Sequence, residues 1–171
     1  MMNADAAASV FVLSDKGNVS APAGSAVFSM HALDFIEIVS NDDPSALPIE
    51  AVAEENGPRI MVDRALFPIS VVAEPIALIM WLPVAIKQIA FAALAAAKDA
   101  PDGIGALSSP RWQAFRDQTE MTVGLSWNEI VTVARRDGLD SAASLVTEGL
   151  FVENGVSQGL MRRMAASSHV N

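Results

Sequence analysis

Residues 84–98 read VAIKQIAFAALAAAK, and the prediction of the fold starts from this segment. All of its side chains are apolar except those of Lys87, Gln88 and the closing Lys98. The apolar side chains fall on every face of a helix, which is typical of a helix that other elements cover on all sides. The stretch therefore predicts a central helix over residues 84–98, around which the rest of the chain packs.

Prolines interrupt the wider apolar stretch that contains this helix, residues 65–97. They lie at Pro68, Pro75 and Pro83. Each proline removes a backbone donor and restricts the residue before it, so one straight helix over the whole stretch is not expected. We predict an extended segment through residues 69–72, followed by a helix from about Pro75 that bends or restarts at Pro83.

Shorter helices are indicated after the central one. Ser109 precedes Pro110, which places an N-cap before a proline at the first helical position. Ser126 and Glu129 have the spacing of a capping box, in which the hydroxyl and the carboxylate each bind a backbone amide of the other residue. A last helix is expected over residues 156–166. The sequence beyond the central helix thus predicts three or four short helices.

The chain before residue 74 is different in character, because it is β-rich and acidic. Its first 63 residues carry ten acidic and two basic side chains, a difference of -8. A short acidic helix is expected over residues 45–56. Four segments read as strands: residues 9–13, 26–30, 34–39 and 59–62.

These patterns together predict an α+β fold. An acidic, strand-rich part covers residues 1–74, and a helical part over residues 75–171 packs around the central helix. The length of 171 residues fits a single folded unit made of both parts.

Composition excludes several function classes. The chain has no cysteine, which removes disulfide scaffolds, zinc-thiolate sites, iron–sulfur clusters and cysteine nucleophiles. A net charge of -9 opposes binding to phosphate backbones, and residues 141–148, which follow a helix-turn-helix-like glycine, lack side chains that read bases. Met1 to Asp5 form no basic signal region. We expect no nucleic-acid partner, and a cytoplasmic protein or part of a particle assembled inside the cell.

A membrane span over residues 75–97 is less favoured than a buried core. The stretch is long enough to cross a bilayer of ~30 Å. However, Pro83, Lys87 and Gln88 would lie near the hydrocarbon midplane, where a lysine costs roughly 2.5–3.5 kcal/mol.

Residues that could carry chemistry are few. His31, Asp34 and Glu37 are spaced for one helix face, but a lone histidine favours a surface position over a metal site. Gly103 and Gly105 form only part of a phosphate-binding fingerprint, so a loop between helices is favoured there. We therefore predict no catalytic residue, no metal and no cofactor.

Low charge and high apolar content favour an interaction protein. Charged residues make up 18% of the chain, against about 25% in a typical domain, and the mean hydropathy is +0.34. We therefore expect a non-catalytic structural or protein-interaction subunit of a larger, homo-oligomeric assembly such as a shell, particle or tail-like structure. Its partner would be itself or another subunit. The predicted interface residues are Ile79, Trp81, Leu82, Ile86, Ile89, Ala93 and Ala97.

The alternative is a small enzyme or small-molecule-binding domain with its pocket between the strands and the helices. Such a site would use carboxylates for acid–base chemistry and an arginine for an anionic ligand. The candidate carboxylates are Asp34, Glu37, Asp63 and Glu74, and the candidate arginines are Arg64 and Arg111.

Overall fold

The computed structural model describes residues 12–13, 19–20, 33–41, 49–63 and 74–168. Within these ranges a small sheet precedes five α-helices, which confirms the predicted α+β fold. The strands are β1 (Val12–Leu13), β2 (Val19–Ser20), β3 (Glu37–Asn41), β4 (Ile49–Glu54) and β5 (Gly57–Asp63). The helices are α1 (Pro75–Lys98), α2 (Pro110–Val123), α3 (Trp127–Asp137), α4 (Leu139–Glu148), a π-helix (Gly149–Glu153) and α5 (Val156–Ser168).

The main sheet has β5 at its centre. β5 pairs in parallel with β3 and antiparallel with β4, while β1 and β2 form a separate antiparallel pair. Side chains along β5 alternate between buried and half-exposed positions. Ile60 and Val62 are buried, whereas Arg59 and Met61 are half-exposed. This alternation has the period of two that a strand with one covered face requires.

The acidic helix predicted over residues 45–56 is wrong. Residues 49–54 form β4 instead, joined to β5 by the turn Glu55–Asn56. Pairing with β5 overrides the helix propensity of the alanine and glutamate residues in this segment. The strand predicted at 59–62 is confirmed within β5, and the one predicted at 34–39 begins later, at Glu37. The segments 26–30 and 69–72 lie outside the described residues, as does most of 9–13.

The central helix α1 is longer than expected. It starts at Pro75, as predicted, and continues through Pro83 to Lys98, so of the bend or restart predicted at Pro83 the restart does not occur. α1 packs against α4, α5 and β4, and nine of its side chains are buried. Pro75 occupies the first turn, where its missing N–H costs nothing.

The helix boundaries predicted from caps are confirmed. Ser109 accepts a hydrogen bond from the Trp112 backbone N–H at 3.3 Å, and Ser126 and Glu129 form the complete capping box. The rings of Phe35, Trp112 and Trp127 surround that of Phe115, all edge-on, with centroid distances of 5.4–6.0 Å. This aromatic cluster packs the start of the sheet against α2 and α3.

Candidate interaction surface

Most of the residues predicted to form an interface lie inside the chain itself. Leu82, Ile86, Ile89, Ala93 and Ala97 are at most 1% exposed. Ile79 and Trp81 are half-buried against the same core. A partner cannot reach the five buried side chains while the chain is folded, because the sheet and helices of the same chain already cover them. Any contact surface on α1 must therefore lie on its other side.

Four large apolar side chains of α1 remain exposed. The exposed fractions are 58% for Ile76, 72% for Met80, 56% for Val84 and 43% for Phe91. At 100° per residue these four positions fall within an arc of roughly 80°, and they extend over roughly 22 Å of the helix. We call this set the outer face of α1. Exposed apolar patches of this kind mark interaction sites more often than single exposed residues do.

Between Ile76 and Phe91, one charged side chain lies within this arc, and it is paired. Lys87 Nζ lies 2.8 Å from Asp140 Oδ1 on the neighbouring helix α4. Both side chains are well exposed, so the pair adds little stability. Its effect is to compensate the lysine charge, so that among the described residues the outer face is apolar and carries no uncompensated charge.

On the side of α1 that carries the outer face, the last turns are enclosed. Leu94 lies on the same side of the helix as Ile76 but is fully buried. The guanidinium of Arg135 donates two hydrogen bonds to the Lys98 carbonyl, at 2.9 and 2.7 Å, and so caps the end of the helix. The outer face therefore ends near Phe91.

α1 is long and apolar enough to cross a membrane by length and composition alone. The core helix of a soluble protein passes the same test, and nine side chains of α1 belong to the core of this chain.

Within the described residues, the polar side chains of the expected pocket are spread over the fold. Of the candidates, Glu37 and Arg111 meet, at 3.1 Å. Asp34 and Glu74 are exposed, and Asp63 is buried at the far end of β5. Arg64 lies outside the described residues.

Arg111 instead fastens α2 to the sheet. Its Nε donates to the Phe35 carbonyl at 3.0 Å, and its Nη2 donates to the Pro58 carbonyl at 2.7 Å. Its Nη1 donates to Glu37 Oε2. An added Cβ on Gly57 would lie only 2.7 Å from the Arg111 Cβ, so the glycine permits this close approach. All three guanidinium nitrogens thus have protein acceptors, and the carboxylate of Glu37 already supplies an anionic partner.

Arg59 completes the group, in a role that no local pattern of residues predicts. It donates to Glu37 Oε2 at 2.9 Å and to Glu54 Oε1 at 2.9 Å. We call Arg59, Arg111, Glu37 and Glu54 the arginine clasp. Burial raises the pKa of Glu37, but the hydrogen bonds and charges of Arg59 and Arg111 outweigh it, so the net effect is a lowered pKa. The clasp therefore holds an ionised carboxylate between two cations, which is a structural joint.

The loop around Gly103 and Gly105 binds its own carboxylate. Asp102 Oδ1 accepts hydrogen bonds from the backbone N–H groups of Ile104 and Gly105, both at 2.9 Å. These two bonds lower the pKa of Asp102, and the bond from Gly105 has the larger effect. The amides that a phosphate would require are thus already satisfied, in agreement with the predicted loop between helices.

Metal and nucleic-acid sites find no support in the described ranges. These residues contain no group of three or more metal-ligating side chains, and His31 lies outside them. In the helix-turn-helix-like segment, Arg135 caps α1 and Arg136 pairs with Asp137 at 2.6 Å.

Comparison with protein-family models, with curated proteins and with solved structures found no match to this chain.

Proposed function

We propose that this chain is a non-catalytic interaction subunit that assembles with copies of itself through the outer face of α1. The observation that carries the proposal is the exposure of Ile76, Met80, Val84 and Phe91 on one side of the helix. Burial of such a face against another protein removes apolar area from water, at about 25 cal/mol per Å².

A second copy fits this face because the described residues leave no uncompensated charge on it. A heterologous partner is commonly selected by a pattern of charges, whereas an apolar face can pack on its own copy. In an antiparallel two-fold arrangement Val84 would lie near the axis, and Ile76 would lie opposite Phe91 of the other copy. The Lys87–Asp140 pair would remain at the rim, where solvent still reaches it.

The size of the outer face sets the expected strength. Two helices in contact over roughly 22 Å bury less than the ~800 Å² per partner of a standard interface. The contact made by α1 alone is therefore expected to be concentration-dependent. A larger assembly would need further surfaces of the chain.

The test is the native mass of the full chain over a concentration series, measured by sedimentation velocity and light scattering. Met80→Lys places a charge at the centre of the outer face and should leave a monomer at every concentration. Ala96→Lys adds the same charge to an exposed position on another side of α1, and should assemble like the wild type. Far-UV circular dichroism should show that both variants remain helical.

Two results would overturn the proposal: a wild-type chain that stays monomeric throughout the series, or a Met80→Lys variant that assembles as the wild type does. A monomer whose melting temperature rises with a small anionic ligand would instead support the enzyme or small-molecule-binding alternative.

A further inference from the structure

The chain contains two Asn–Gly sequences, Asn56–Gly57 and Asn154–Gly155, in different surroundings. In such a pair the glycine nitrogen can attack the asparagine side-chain carbonyl, because glycine has no side chain to obstruct the approach. The reaction requires that both the amide side chain and the glycine N–H can leave their folded positions.

Asn56 lies at an exposed position of the turn between β4 and β5. Within the described part of the chain, no hydrogen bond holds its side-chain amide. Gly57 is buried beside Arg111 and pairs with Glu54, whose carbonyl accepts a hydrogen bond from Trp112 Nε1 at 2.6 Å. This pair is nevertheless the last of the ladder, and the final pair of a ladder opens more readily than those within it. The turn therefore permits the side chain and the glycine nitrogen to meet.

Asn154 is held in place. Its Oδ1 accepts a hydrogen bond from Gln118 Nε2 at 2.8 Å, and its backbone N–H donates to the Gly149 carbonyl at 3.0 Å. The N–H of Gly155 donates to the Val152 carbonyl at 3.0 Å. Both reacting groups of the second pair are thus fixed by the end of the π-helix and by α2.

We propose that Asn56 is a site of spontaneous deamidation in the folded protein and that Asn154 is protected. The Gly57 nitrogen loses its proton and bonds to Cγ of Asn56, while the Cγ–Nδ2 bond breaks and ammonia leaves. Water then opens the succinimide ring at either carbonyl. The products are aspartate, or isoaspartate with one additional carbon in the backbone. Water is the only co-reactant.

This modification acts on the arginine clasp. Isoaspartate lengthens the chain just before Gly57, which lies against Arg111, and before Pro58, whose carbonyl accepts from Arg111. Aspartate keeps the backbone length and adds only one negative charge. The isoaspartyl form should therefore melt at a lower temperature than the aspartyl form.

The test is to incubate the full folded chain at mildly alkaline pH and physiological temperature. Trypsin digestion and mass spectrometry then follow the peptides ending at Arg59 and Arg162, with isoaspartyl methyltransferase as a second readout. Asn56 should deamidate at least roughly tenfold faster than Asn154. Short peptides spanning each pair provide the rates without folded structure. Equal rates in the folded chain, or a faster reaction at Asn154, would contradict the proposal.

Two variants show whether the surroundings set these rates. Asn56→Gln should remove the fast-appearing product without loss of the fold. Gln118→Ala removes the hydrogen bond to Asn154 Oδ1 and should speed deamidation there, with no change at Asn56. If the rate at Asn154 does not rise in Gln118→Ala, the explanation for its protection is wrong.

Discussion

The two halves of α1 have similar apolar compositions and different surroundings. From Ile89 to Ala97 the side chains at five positions are fully buried, among them Ala93 and Leu94. Toward the start of the helix, Met80 and Val84 are more than half exposed. Apolar content thus indicates that a helix will be covered, but the tertiary arrangement determines which side the chain itself covers.

The largest contrast between the two halves should appear when a side chain is shortened. Leu94→Ala removes buried methyl groups and leaves a cavity, so the free energy of unfolding should fall by about 2–5 kcal/mol. Met80→Ala shortens an exposed side chain and should change the free energy of unfolding by less than about 0.5 kcal/mol. Urea unfolding at concentrations where the chain is monomeric gives both values. Similar losses in the two variants would mean that the outer face is covered within the monomer.

A smaller effect should arise where the sheet meets the helices, away from α1. Because the pKa of Glu37 is lowered in the folded state, its charge stabilises the fold above the ordinary glutamate pKa, and that stability is lost as the pH falls through the folded-state pKa. Glu37→Gln should therefore lose about 1–2 kcal/mol at neutral pH. Its deficit relative to the wild type should shrink below roughly pH 4.3.

Urea unfolding of the wild type and of Glu37→Gln over a pH series measures this difference in the free energy of unfolding. The part of the difference that changes with pH is the contribution of the Glu37 charge. A constant deficit from neutral to acid pH would show that the Glu37 charge plays no part in the clasp. In either case the contrast between the halves of α1 should persist, since the clasp lies between α2 and the sheet.

The smallest effect is expected where the two halves of α1 join. Lys87→Ala removes the ion pair with Asp140. The side chains of Lys87 and Asp140 are 40% and 77% exposed, so the pair should contribute no more than about 0.5 kcal/mol to the free energy of unfolding. A double-mutant cycle with Asp140→Ala isolates that coupling. A much larger coupling energy would show that the Lys87–Asp140 pair is shielded from solvent, in contrast to its exposed position beside the outer face.

Local signals were sufficient to predict much of the helical part. The caps at Ser109 and Ser126 depend on residues three positions apart, and both were found where the sequence indicated. β4 was missed because its alanines and glutamates favour a helix locally, and only pairing with β5 makes the segment a strand. Non-local pairing is not visible in the residues of one segment.

The candidate surface was predictable in kind but not in position. Exposed apolar area on α1 was expected, yet Ile86 and Val84 are equally apolar residues of the same helix, and nothing local distinguishes the buried one from the exposed one. The arginine clasp was missed for a related reason, because Arg111 and Glu37 lie 74 positions apart.

The separation of 74 positions between Glu37 and Arg111 also determines the order in which the parts of the clasp are synthesised. All three strands of the main sheet leave the ribosome before Arg111 does, so the newly made β3–β5 pair has no guanidinium to bind until α2 follows. Closing so long a loop is entropically costly and slow compared with forming the adjacent helices. The nascent sheet is therefore the portion of this chain that a chaperone or a protease would meet in an unfinished state.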